Sequence, residues 1–80
     1  MKEPERFEFL GRSRPGAGSR VIGTPGSENY GGRRGVVLRR HERYVAMVMV
    51  RWDDDPDFDD AVVVSLLEDE PVLDQLSRIE

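Results

Sequence analysis

Residues 53–60 read Asp-Asp-Asp-Pro-Asp-Phe-Asp-Asp, six aspartates in eight positions. Crowded like charge, together with a proline that lacks an N–H, keeps this stretch out of any helix or sheet interior. It is a loop, and it separates the two most apolar runs of the chain, Tyr44–Trp52 and Ala61–Leu66. Both runs are rich in β-branched residues, which favour strands. Upstream, Gly35–Arg40 reads as another strand and Arg20–Ile22 as the first, with a glycine-rich loop, Gly23–Gly32, between them. At 80 residues the chain holds one domain with a thin core. The expected fold is mainly β, a small barrel of four or five antiparallel strands within residues 20–80.

The run from Tyr44 constrains the surface as well. Tyr44, Ala46, Val48, Val50 and Trp52 alternate onto one face, while Val45, Met47, Met49 and Arg51 take the other. A strand with one wet face should be polar on that side, so the second face needs a cover. One candidate is a C-terminal helix over about 71–79, because Pro71 suits a first helical position and Val72, Leu76 and Ile79 share a face. A short fifth strand at Val72-Leu73 is the alternative for that tail. The other candidate is a partner chain seated on Val45, Met47 and Met49, where methionines suit adaptable contacts. Residues 1–19 read as an N-terminal arm. Its apolar island Phe7-Glu8-Phe9-Leu10 precedes a Gly/Pro/Ser/Arg linker. Phe7, Phe9 and Leu10 are therefore expected to anchor on a neighbouring surface.

Val21-Ile22, then Gly26, Gly32-Arg33-Arg34-Gly35 and Val36-Val37 give the order strand, glycine loop, Gly-x-x-Gly, apolar strand. This order resembles the KOW motif shared by some ribosomal proteins and by transcription elongation factors of the NusG type. The loop between Gly26 and Gly32 is longer than in the family's pattern. Val48-x-Val50-Arg51-Trp52-Asp53-Asp54 is similar to the third strand of such domains. The resemblance runs from Arg20 to Leu67. It implies an SH3-like barrel, structural turn positions at Gly26, Gly32 and Gly35, and loops that contact RNA, DNA or protein.

Catalytic chemistry has few footholds. The chain has no cysteine, one histidine (His41) and one lysine (Lys2). That argues against an enzyme, a cofactor and any thiolate or paired-histidine metal site. Asp53, Asp54, Asp55, Asp57, Asp59 and Asp60 invite a calcium reading. Counted from Asp55, however, the EF-hand positions that require glycine and glutamate hold Asp60 and Leu66. No apolar run has the length of a spanning helix. The expected setting is the cytoplasm, or a virion if the source is a phage.

Charge then decides between two binding functions. Residues 1–44 carry ten basic groups and five acidic ones, whereas residues 45–80 carry two and eleven. Arg33, Arg34, Arg39, Arg40 and Arg43 gather around the second strand, with Tyr30 and Tyr44 nearby. The leading expectation is a structural or adaptor protein in a homo-oligomer or larger assembly such as a phage virion. There the arginines would meet the acidic loop of a neighbouring copy. The alternative is a KOW-type nucleic-acid-binding module, associated with transcription or the ribosome, whose arginines hold phosphates. Within the arm, Arg12-Ser13-Arg14-Pro15-Gly16 distantly resembles the Arg-Gly-Arg-Pro core that enters DNA minor grooves, with Ser13 in place of the glycine.

Overall fold

A computed structural model describes residues 4–70. These residues form seven strands in two antiparallel sheets: β1 Arg6–Phe9, β2 Arg12–Pro15, β3 Arg20–Gly23, β4 Arg34–Arg40, β5 Met47–Trp52, β6 Asp59–Val63 and β7 Leu67–Asp69. Strands β1 and β2 make a hairpin, and the other five form one sheet in the order β6-β5-β4-β3-β7. The expected small barrel of four or five strands is corrected to an open five-stranded sheet with β6 and β7 at its edges. The cause lies in the link between those strands. A single 3₁₀ turn, Val64–Leu66, carries the chain from the outer edge of β5 to the outer edge of β3, so the last strand joins the first strand of the sheet rather than β6. The C-terminal helix expected at about 71–79, and its strand alternative, lie outside the described residues. Among those described, no helix is long and apolar enough to cross a membrane.

One face of the sheet carries the core. Val21, Val37, Val48, Val50, Trp52, Val62, Val64 and Leu67 are fully buried, and Phe7 of the hairpin joins them. The period-2 alternation read from the sequence places Val48, Val50 and Trp52 inward as expected. The opposite face is only partly covered. Met47 and Met49 are half-buried by cross-strand neighbours, Met47 against Val63 and Met49 against Ala61 and Arg39. Val45 lies before the strand in a turn closed by the Met47 N–H donating to the Tyr44 carbonyl at 3.0 Å, and it is 72% exposed.

Gly35 pairs with Trp52, where an added Cβ would lie 2.6 Å from the Arg51 carbonyl oxygen. The close approach of β4 to β5 at the bulky Trp52 therefore requires glycine. Gly32, three residues earlier, holds φ 79 at the end of the loop, in the left-handed region that glycine adopts freely. Gly26 lies within that loop, inside the turn closed by the Ser27 N–H donating to the Thr24 carbonyl at 3.0 Å.

The N-terminal segment differs most from expectation. The expected extended arm is a β-hairpin, and the expected linker supplies its second strand. Leu10 and Gly11 form the two-residue turn with φ 53 and 76. Positive φ at both positions is the turn geometry that matches strand twist. The base of the hairpin is fastened by backbone bonds: Gly16 N–H to the Glu5 carbonyl at 2.7 Å, Gly18 N–H to that of Val37 at 2.8 Å, and Val37 N–H to that of Ser19 at 2.9 Å. Phe7 thereby reaches the core of its own chain, and Arg6 ties the hairpin to Asp69 of β7 at 3.1 Å.

Candidate functional site

The five arginines grouped by sequence do not stay together. Strand β4 begins at Arg34 and ends at Arg40, which separates its ends by about 20 Å at strand rise. At the Arg34 end the acidic loop folds back on the arginines of its own chain. Arg33 donates to Asp54 at 2.7 Å, Arg20 to Asp53 at 2.9 Å and to Glu70 at 2.8 Å, and Arg51 to Asp59 at 3.0 Å. Arg34 stands 3.8 Å from Glu70. Hydrogen bonding from Arg20 holds the Asp53 carboxyl below its ordinary range, and Arg33 does the same for Asp54. The same contacts raise both guanidiniums.

Arg33 has a second task. Its guanidinium lies 4.6 Å from the centre of the Trp52 ring, Tyr30 stacks on the same residue at 5.7 Å, and the Trp52 indole N–H donates to Asp60 at 3.0 Å. This is a structural lid over the largest core side chain. The six aspartates expected in one loop are thus divided, and Asp59 and Asp60 open strand β6 instead, paired with Arg51 and Val50 of β5. Asp53, Asp54, Asp59 and Asp60 each have a separate partner, and Asp55 and Asp57 donate or accept no side-chain bond among the described residues. No three carboxylate or histidine groups among the described residues are placed to hold a metal.

The Arg40 end is different. Among the described residues, Arg12, Arg14, Arg39, Arg40 and Arg43 have no carboxylate within 4.0 Å. The hairpin register pairs Phe7 with Arg14 and Phe9 with Arg12, so these four side chains share one hairpin face. Arg40 reaches the same place from β4, its guanidinium 4.1 Å from the centre of the Phe7 ring. A bulge between Val37 and Arg39 permits this by shifting the register so that Arg40 pairs with inward-facing Val48. Phe7 consequently has the Arg40 guanidinium over its ring and Arg14 opposite it across the hairpin, and the Nε of Arg14 is buried with no hydrogen-bond partner among the described residues. Glu8 pairs with Ser13 on the opposite hairpin face.

The adjoining turn is built on His41. Its Nδ1 accepts from the backbone N–H groups of Arg43 at 3.0 Å and Tyr44 at 3.3 Å, and its ring lies 5.0 Å from that of Tyr44. This turn follows β4 directly and presents Arg43 and Tyr44 to solvent.

Of the expected interface residues, Phe7 is buried in its own core, Phe9 is half-buried, and Leu10 stands at the hairpin tip, 85% exposed. Sequence reading missed that Arg12 and Arg14 join Arg40. The available signal was the matching period of Phe7-x-Phe9 and Arg12-x-Arg14 around Leu10-Gly11. The chain matches no known protein family, no curated protein and no solved structure.

Proposed function

We propose that this domain is a non-enzymatic binding module that holds the phosphate backbone of a nucleic acid at the end formed by Arg12, Arg14, Arg39, Arg40 and Arg43. The observation that carries the reading is the division of the arginines. Those facing the acidic loop are paired within the chain, whereas Arg12, Arg14, Arg39, Arg40 and Arg43 have no carboxylate within 4.0 Å among the described residues. Guanidiniums gathered without carboxylates repel one another, and a polyanion relieves that repulsion while releasing its own counterions. The chain's net charge of −4 does not oppose this, because much of the acid lies at the far end of β4 and β5, against arginines. The expected contact between arginines and a copy's acidic loop is less favoured, since four of the six aspartates are bonded within the chain.

The strand positions also support a small SH3-like, KOW-related sheet. Val21-Ile22 lies in β3, Gly35–Val37 in β4 and Val48–Trp52 in β5, where the resemblance puts them, and β7 returns beside β3. A second reading, an adaptor subunit of a larger assembly such as a virion, is favoured by the apolar strip Met47, Met49, Ala61 and Val63 on the outer sheet face.

The test is fluorescence anisotropy of a labelled oligonucleotide across salt concentrations. Three to five phosphate contacts from Arg12, Arg14, Arg39, Arg40 and Arg43 give a slope of log K against log salt of about −2 to −4.5. No binding at low salt, or binding without salt dependence, would remove the proposal.

A further inference from the structure

The two edges of the five-stranded sheet are unlike each other. Strand β7 is three residues long, two of them acidic, and Arg6 covers it by reaching Asp69. Acidic residues and shortness are devices that keep an edge from pairing. Strand β6 has them at one end only. After Asp59-Asp60 it continues Ala61-Val62-Val63, with no charge, proline or bulge in that half. Beyond its pairing with β5, no backbone hydrogen bond is made by residues 59–63 to any described residue.

Exposed apolar side chains collect at both ends of this same strand. Five large apolar residues of the described chain are well exposed, and four of them flank β6: Phe58 at 55% before it, Val63 at 37% at its end, and Val45 at 72% and Tyr44 at 58% in the turn beside that end. The turn is joined to it by the Val64 N–H donating to the Ala46 carbonyl at 2.8 Å.

We infer that β6 is the seam of a two-fold dimer, in which β6 of a second copy pairs antiparallel with it to make one ten-stranded sheet. The register follows from the residues. A two-fold axis perpendicular to the sheet keeps outer faces on the same side, so only registers that pair outward residues with outward ones are allowed. Centred on Ala61, the pairing sets Ala61 against the partner's Ala61, Asp59 against the partner's Val63 and Asp60 against the partner's Val62. Like charges are then never opposed. The allowed register centred one residue earlier sets Asp60 against itself, at a cost. In the Ala61 register Phe58 arrives beside the partner's Val63–Val64 end, where Val45 and Tyr44 stand, so the four exposed apolar residues cover one another. The strip Met47, Met49, Ala61 and Val63 becomes continuous across the seam. This inference is independent of what the arginine end binds.

The absence of native cysteine supplies a direct probe. Directly opposed residues of antiparallel strands have Cα atoms about 4.5–5.5 Å apart, within the span of about 4.4–6.8 Å that a disulfide bridges. Ala61→Cys is expected to oxidise rapidly to a disulfide-linked dimer, whereas Glu68→Cys on β7 stays monomeric. Sedimentation of the full native chain should show the mass rising with concentration from 9.1 kDa towards twice that value. Val63→Lys should hold it at the monomer mass, with its Trp52 fluorescence and melting unchanged. A native chain that sediments as a monomer at every concentration would overturn the seam. So would equal cross-linking of Ala61→Cys and Glu68→Cys, which needs no intact Val63→Lys protein to be read.

Discussion

Leu10 adopts φ 53 while its side chain is 85% exposed, so nothing it buries offsets the conformational cost. For an L-residue with a branched side chain that cost is roughly 1–2 kcal/mol. Asparagine is the natural occupant beside Gly11 in this turn. Leu10→Asn should therefore raise the denaturant midpoint, with a gain of about 1 kcal/mol and an unchanged m-value. The carboxylates of the acidic loop behave more modestly. Asp53 and Asp54 titrate below their ordinary range because Arg20 and Arg33 hydrogen-bond them. Their contribution is complete above the unfolded-state range of about pH 4 and is lost as pH falls through the lower folded values. Both pairs are largely exposed, so the effect is small. Thermal melts should show a shallow loss below about pH 4. An Asp53→Asn, Asp54→Asn variant, melted in parallel, should lose less over that range.

At the scale of elements, the hairpin decides whether the sheet keeps its core. Phe7 is 7% exposed and is the only residue of β1 in the core cluster, so Phe7→Ala should cost about 3 kcal/mol or more. Removing residues 1–19 should lower stability further and loosen the fold, read as loss of Trp52 fluorescence and of cooperative unfolding. A truncated chain that melts like the native one would return the segment to the status of an arm. The sequence made β3 to β6 legible because their inward residues alternate or are β-branched, and because Gly32 and Gly35 stand where a turn and a close strand approach need them. It did not reveal the hairpin. Gly11–Ser19 has linker composition, which masks the period that Arg12-x-Arg14 shares with Phe7-x-Phe9, and the base of the hairpin is fixed by bonds to Glu5 and Val37 that lie far off in sequence. The barrel expectation failed for a related reason. Residues 64–66 look like a continuation of the apolar strand, yet the chain turns there to reach β3.

Across the whole molecule, charge is sorted along the length of β4. One end pairs arginine with aspartate internally, and the other gathers Arg12, Arg14 and Arg40 around Phe7 without a carboxylate within 4.0 Å among the described residues. Sequence spacing grouped Arg33, Arg34, Arg39, Arg40 and Arg43 because they are close in the chain, but an extended strand holds its two ends apart. The tertiary pairing of the hairpin then adds Arg12 and Arg14 to one end only. The central claim is that the two ends differ in function, and two double variants measured against the same labelled oligonucleotide test it most directly. Arg14→Glu with Arg40→Glu is expected to abolish binding, whereas Arg33→Glu with Arg34→Glu is expected to leave it within a few-fold of native while lowering stability. Binding lost in the Arg33, Arg34 variant and retained in the Arg14, Arg40 variant, with both proteins folded, would contradict the claim.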